Sequence, residues 1–325
     1  MAATPSTHIA LARYLAPDAT EPSLGLVSQE RIRPLCPDDL GAVDLNAFLT
    51  SPDWERLRQL AADTTGAIWQ DISNVELLAP VQPRQVIQAG ANYRTHVIEL
   101  VVAGLAEDDP RSPEEARAWA ADIMDARKKH GEPYFFIGLP TCLAGDEQIL
   151  SLPTWSDSVD WELELAVVIG REAYQISPDN ALDHVAGFTI INDITARDFV
   201  FRKDMKDIGT DWYRGKNAPG FLPTGPWLVP ADQIDHTNLN IELRLNGDVM
   251  QDGHTSDLLF DVPELISAAS QTMPLLPGDL LLTGSPEGNG IHHGRFLRHG
   301  DVMTGSITGL GTQTVRCIQQ KAHTP

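Results

Sequence analysis

Two glutamates two residues apart, Glu162 and Glu164, lie in the most strand-like run of the chain, Asp160-Trp-Glu-Leu-Glu-Leu-Ala-Val-Val-Ile-Gly170. Side chains alternate along a strand, so Glu162, Glu164, Ala166 and Val168 share one face while Leu163, Leu165, Val167 and Ile169 share the other. Positions two apart on a strand are separated by about 7 Å, and carboxylates held that close in a partly dry site repel unless a cation or several hydrogen bonds compensate. Asp193 follows the apolar strand Phe188-Thr-Ile-Ile191, where strand gives way to turn, and would complete an oxygen-only set. Three carboxylates and water select Mg²⁺, Mn²⁺ or Ca²⁺ over zinc or copper, which prefer nitrogen and sulfur. Taken alone, a Glu-x-Glu in an acidic chain reads more often as a solvated strand face, and spacing does not decide between the two.

A second group of residues could move protons. In Gly90-Ala-Asn-Tyr-Arg-Thr-His96-Val-Ile-Glu99 a glycine-containing turn leads into helical spacing. His96 and Glu99, three apart, fall on one helical face, where a carboxylate can orient an imidazole and favour its protonated form as it takes a proton from water. An exposed helical ion pair is the alternative. Lys216, in the loop Arg214-Gly-Lys-Asn-Ala-Pro-Gly220, could neutralise a substrate carboxylate or an enolate, and Arg197 could do likewise; either could equally be a solvated surface charge. Thr283-Gly-Ser-Pro-Glu-Gly-Asn-Gly290 supplies hydroxyls and backbone amides in a loop, a plausible anion cradle, but not the glycine pattern of a dinucleotide site. His292, His293 and His299 read as exposed loop histidines.

These residues need rigid supports. Short β-like runs at 8–14, 23–27 and 31–35 suggest a small antiparallel unit, with a helix starting at Ser51-Pro-Asp-Trp-Glu55 and a boundary near residue 78. The expected division is a small N-terminal domain over 1–78 and a catalytic domain over 79–325, carrying a helical lid and insertion at about 93–131. Within it, residues 105–131 form an acidic helical insertion in which Ser112-Pro-Glu-Glu115 is a capping box and Gly131 closes the helix. A helix is expected from Pro178 to about His184, a hairpin at Asn246-Gly247, and a further helix from the capping-box spacing Asp261-Val-Pro-Glu264.

At 325 residues and 42% hydrophobic content the chain has ample material for a core. A formal net charge of -21 and a pI near 4.7 argue against nucleic acid and anionic membrane surfaces as partners, since both need a basic patch. Cys36, Cys142 and Cys317 are odd in number and lack metal-ligand spacing, which suits a reducing cytoplasm rather than a disulfide framework. The start Met-Ala-Ala-Thr-Pro-Ser lacks the pattern of a signal peptide, and no apolar run reaches the roughly 18 residues of a membrane span.

In order along the chain, Gly90-Ala-Asn-Tyr-Arg-Thr-His96 through Glu99, Asp160 to Gly170, Gly187-Phe-Thr-Ile-Ile-Asn-Asp193 through Asp198, Gly225-Pro-Trp-Leu-Val229, Pro277-Gly-Asp279 and Thr283-Gly-Ser-Pro286 resemble the fumarylacetoacetate hydrolase family over roughly residues 80 to 320. The resemblance implies an α+β, mostly β fold, a mixed β-sandwich roll with a small N-terminal β-rich domain and a helical insertion. It implies Mg²⁺ or Mn²⁺ at Glu162, Glu164 and Asp193, a His96-Glu99 pair on a short lid helix, Lys216 in the pocket, and a homodimer. Tyr93, Arg94, Arg197, Thr283 and Ser285 are expected on the substrate side.

The expected reaction is hydrolysis of a carbon-carbon bond in a small 1,3-dioxo or acylpyruvate-type substrate, an oxo acid or diketone, with His96-Glu99 activating water and the metal holding an enolate. Hydration, tautomerisation or decarboxylation of a 2-oxo acid on the same metal is the alternative, and a non-catalytic ligand-binding homologue a third. The chain departs from the family pattern in three places. Phe135-Phe-Ile-Gly138-Leu-Pro140 lacks the lysine many members carry, Lys216-Asn-Ala-Pro-Gly-Phe221 replaces a Lys-Ser-Phe-Asp-Gly-Phe-like run, and Val200 replaces a frequent glutamine. A less cationic pocket follows.

Overall fold

The computed structural model describes residues 8–321 apart from 64–67, 107, 203, 206 and 208; the opening Met-Ala-Ala-Thr-Pro-Ser lies outside the described residues. The α+β, strand-rich architecture expected from the sequence is present. Six strands form the central sheet, in the order Val229–Pro230, Val185–Asn192, Leu163–Ile169, Leu280–Leu282, Val86–Gly90 and Tyr134–Gly138. Neighbours run antiparallel except Leu280–Leu282 and Val86–Gly90, which are parallel. Every residue of Leu163–Ile169 is buried, because both faces of this strand are covered. Leu163, Leu165, Val167 and Ile169 join a core with Ile241, Leu243 and Met303 of a second, five-stranded sheet. Ala166 and Val168 turn the other way, toward Leu11, Leu26 and Phe48 of the N-terminal region.

That region builds a five-stranded sheet from Ala10–Leu15, Ser23–Ser28, Arg31–Pro34, Gln70–Asp71 and Glu76–Leu78. Its helix begins later than the Ser51 start suggested: it spans Trp54–Ala62, and the Asp53 carboxylate caps it by accepting from the Arg56 amide at 2.9 Å. An acidic side chain two residues nearer the first apolar position is the better cap.

The insertion helix spans Pro113–His130. Its capping box is closed: Ser112 Oγ accepts from the Glu115 amide at 3.2 Å, and Glu115 Oε2 accepts from the Ser112 amide at 2.7 Å. The Asp261-Glu264 box caps Val262–Thr272 in the same way. Between Pro178 and His184 one α-helical turn, Pro178–Ala181, passes into a 3-10 turn. The hairpin at Asn246-Gly247 has both residues at positive φ, 55° and 95°, as a tight turn between twisted strands requires. No helix among the described residues is long and apolar enough to cross a membrane.

Candidate metal centre and active site

At one end of the central sheet the alternation of Leu163–Ile169 brings Glu164 out on the Ala166 side, and Glu162 lies just before the ladder begins. Asp193 follows the last residue of the neighbouring strand, and its amide donates to the Glu162 carbonyl at 2.8 Å. Oxygens of the three carboxylates all lie within 4.8 Å of one another. The two-residue spacing and the strand end thus converge three acids in one place.

Their surroundings are unequal. Glu162 Oε1 accepts from Arg197 Nη2 at 2.6 Å, and Oε2 from Lys216 Nζ at 2.5 Å. Burial works against its charge, but Arg197 and Lys216 outweigh burial and hold it far below the usual carboxylate range. Among the described residues Glu164 has one hydrogen-bond donor, the Gly284 amide at 2.8 Å, and burial together with the charges of Asp193 and Glu162 raises its pKa. Burial raises Asp193 as well, with Lys216 opposing. Asp193 Oδ1 is buried without a hydrogen-bond partner among the described residues.

A buried oxygen with no donor, beside a second acid that its neighbours push toward protonation, is what an oxygen-seeking cation would relieve. The donor set, carboxylate oxygen only, matches a hard divalent ion. Glu162, Glu164 and Asp193 therefore fit such an ion.

Lys216, foreseen as a substrate group, is 1% exposed. All three of its protons go to protein: Glu162 Oε2, Asp193 Oδ2 at 2.5 Å and the Asp193 carbonyl at 3.2 Å. Its side chain packs 5.5 Å from the centre of the Phe136 ring. Burial alone would lower its pKa, but the two carboxylates raise it, so it stays an ammonium.

The carboxylates form the floor of a pocket of about 180 Å³, lined also by His96, Leu100, Tyr134, Phe136, Trp212 and Ser285 among others. Phe136 and Trp212 stack at 4.6 Å, and Trp212 Nε1 donates to the Tyr134 hydroxyl at 2.7 Å. This aromatic wall went unnoticed in the sequence because Trp212 lies over seventy residues from Tyr134 and Phe136 and the three carry no motif.

His96 sits on the helix Arg94–Ala103, buried, facing this pocket. Burial lowers its pKa, and the charges of Arg197 and His292 act in the same direction against Glu162 and Asp257. Glu99 does not hydrogen-bond His96 among the described residues; its carboxylate receives Arg117 of the insertion helix at 2.8 and 3.2 Å. The i, i+3 spacing places both on the helix, but the insertion supplies a cation that draws Glu99 away.

Of the five substrate-side residues foreseen, Arg197 and Ser285 line the pocket. Tyr93 is fully buried, Thr283 Oγ1 donates to the Leu165 carbonyl at 3.0 Å, and Arg94 pairs with Asp125 at 2.8 Å on the surface. The foreseen anion cradle uses its Gly284 amide on Glu164 instead. His292 lies half-exposed, 3.3 Å from Glu287.

A strand-rich α+β fold that gathers three carboxylates, with Lys216 between two of them and His96 lining the same pocket, has the make-up of a metal-site enzyme. Residues 85–318 match the model of the fumarylacetoacetate (FAA) hydrolase C-terminal domain, and the chain belongs to this family. The mitochondrial oxaloacetate tautomerase fahd2 of Xenopus laevis is 33% identical over 325 residues, covering 95% of this chain and 90% of that protein. A 2,4-didehydro-3-deoxy-L-rhamnonate hydrolase of Sphingomonas sp. (strain SKA58) is 41% identical over 188 residues, 56% of this chain and 64% of that protein. Among solved structures, maleylpyruvate hydrolase from Sphingobium sp. SYK-6, in complex with manganese(II) and pyruvate, superposes with a TM-score of 0.71 at 26% identity, covering 96% of this chain and all of that one.

Proposed function

We propose that this chain is a divalent-metal-dependent enzyme that interconverts the keto and enol forms of a small 2-oxo acid. The observation that carries this reading is the position of His96, a buried imidazole whose pKa is pulled down, facing the carboxylate floor while Glu99 is taken by Arg117. A base that is neutral at physiological pH can take a proton without help, and tautomerisation needs only that this proton be moved from carbon to oxygen, with no attacking water. The full-length similarity to an oxaloacetate tautomerase supports the same reaction.

In this reading Glu162, Glu164 and Asp193 hold Mg²⁺ or Mn²⁺. The ion would supply Lewis acidity to the 2-oxo acid, making the neighbouring carbon-hydrogen bond more acidic. His96 takes the proton from that carbon and returns it on the oxygen side. Lys216 keeps Glu162 and Asp193 ionised and spaced. Arg197, whose Nε and Nη2 go to Asp160 and Glu162, retains Nη1 for the substrate carboxylate. Phe136 and Trp212, with the partly exposed Tyr134 and Leu100, give the pocket an apolar wall that favours an uncharged distal group, consistent with glycine at position 138. Free Cys36, Cys142 and Cys317 suit a reducing compartment.

Carbon-carbon hydrolysis of an acylpyruvate is the second reading, favoured by the similarity to a rhamnonate-type hydrolase. The metal-loaded chain, assayed with a panel of 2-oxo acids and acylpyruvates in ¹⁸O water, separates the two. Faster decay of the enol absorbance without label in a new carboxylate supports tautomerisation, and label in a new carboxylate transfers the assignment to hydrolysis. Full activity of a His96→Gln variant would overturn both.

A further inference from the structure

Asp160 is fully buried two residues before Glu162, and it touches no substrate space. Four donors converge on it. Oδ1 accepts from the Trp161 amide at 2.8 Å and the Gly290 amide at 2.5 Å; Oδ2 accepts from the Ile291 amide at 3.2 Å and Arg197 Nε at 2.7 Å. A Cβ at position 290 would lie 2.6 Å from Asp160 Oδ1 and 2.3 Å from the Arg295 carbonyl, so the close approach of this turn depends on glycine. The carboxylate is therefore fixed by backbone on one side and presents its second oxygen to a single side chain.

That side chain continues the chain of contacts. Arg197 uses Nε on Asp160 and Nη2 on Glu162 Oε1, so one planar guanidinium bridges the two acids. Glu162 precedes the regular ladder, and its long side chain loses much rotamer freedom when held in one pose. Lys216 constrains Oε2 but is shared with Asp193, so it sets the spacing of the two acids rather than the plane of either. Thr195 Oγ1 adds a longer contact to Oε2 at 3.3 Å, so the position of Oε1, and with it the plane of the carboxylate, is set chiefly by Arg197, and the plane of Arg197 by Asp160.

We infer that Asp160 is a positioning residue for metal binding, acting through Arg197 to orient Glu162. The inference rests on the reading of Glu162, Glu164 and Asp193 as metal ligands. Partners behind the ligands of metal sites typically govern affinity by about 10- to 100-fold. A purely structural Asp160 would lower the melting temperature and leave the metal affinity of the folded protein unchanged.

The test is calorimetric titration of Mn²⁺ into the metal-stripped full chain without substrate, with unfolding followed in chelator. Asp160→Asn and Arg197→Met are each expected to weaken Mn²⁺ binding at least about tenfold, and the double variant to be no worse than the worse single within about threefold. Parent-like affinity in folded Asp160→Asn, or penalties that multiply in the double variant, overturn the inference. Should Asp160→Asn fail to fold, Arg197→Lys decides: it keeps the charge but cannot bridge both acids, and parent-like affinity there is equally fatal. Absence of Mn²⁺ binding in the parent chain instead removes the metal reading itself, and the inference with it.

Discussion

Glu99 gives both carboxylate oxygens to Arg117, at 2.8 and 3.2 Å, although it shares a helix with His96 three residues earlier. The insertion thus ties itself to the His96 helix through the residue that spacing alone would assign to proton transfer. If His96 works without it, Glu99→Gln keeps kcat within about threefold, whereas His96→Asn lowers kcat by about 100-fold or more, the usual worth of a positioned base. Steady-state kinetics on the metal-loaded chain measure both. Equal losses in the two variants would mean that Glu99 turns to His96 during the reaction.

Glu164 stands in the least compensated part of the triad, with burial and two like charges against its ionised form, opposed by the charge of Lys216 and one amide. Glu164→Gln keeps an acceptor for the Gly284 amide and removes one of the mutually repelling charges. In chelator the variant is expected to be more stable than the parent by about 1 kcal/mol. The parent should gain about 2.7 kcal/mol at a Mn²⁺ concentration 100 times its Kd, and the variant should lose most of that gain. Thermal unfolding with chelator and with Mn²⁺ reads both. A variant destabilised in chelator yet still stabilised by Mn²⁺ contradicts the ligand role.

Asp146 offers a pH-dependent stability away from the metal site. Burial raises its pKa from 3.8 to about 6, although Oδ1 accepts from the amides of Glu147 at 3.0 Å and Thr314 at 2.7 Å. A carboxyl with a raised folded-state pKa contributes stability that is full below about pH 4 and is lost as pH rises through 6. Asp146→Asn retains the Oδ1 acceptor and cannot ionise. It should therefore stabilise the protein by up to about 2 to 3 kcal/mol at pH 7 to 8, with the gain vanishing near pH 4. Denaturant unfolding at the two pH values is the check; an equal effect at both would assign the change to packing.

The convergence of Glu162, Glu164 and Asp193 was legible because strand periodicity decides which side chains share a face, and a strand end decides where the third acid falls. Caps were legible for the same local reason: Ser112-Glu115 and Asp261-Glu264 act within one turn of chain. What local pattern could not supply was direction for long cationic side chains. Lys216 and Arg197 each had a substrate and several buried acids within reach, and the choice depends on burial set by distant strands. Lys216 turned to Glu162 and Asp193, and Arg197 to Asp160 and Glu162, because leaving those buried acids unpaired costs more than leaving a pocket cation solvated. The aromatic wall was illegible for a related reason, since Tyr134 and Trp212 meet only through the tertiary fold.

Gly138 shows how a departure seen in the sequence acquires a physical partner. It lies on the edge strand Tyr134–Gly138, diagonal to Gln88, and a Cβ built there would approach Gln88 Oε1 to 2.6 Å. Gln88 is 1% exposed, neither of its amide atoms has a hydrogen-bond partner among the described residues, and its head group occupies the space into which a side chain at 138 would emerge. Restoring a cation by Gly138→Lys therefore overpacks the strand and should cost about 1 to 3 kcal/mol. Adding Gln88→Ala removes the obstructing amide, and the double variant should recover part of that loss. Denaturant unfolding of the two singles and the double measures the coupling. If Gly138→Lys is tolerated as well with Gln88 as without it, the two positions are independent, and the missing lysine reflects the substrate alone.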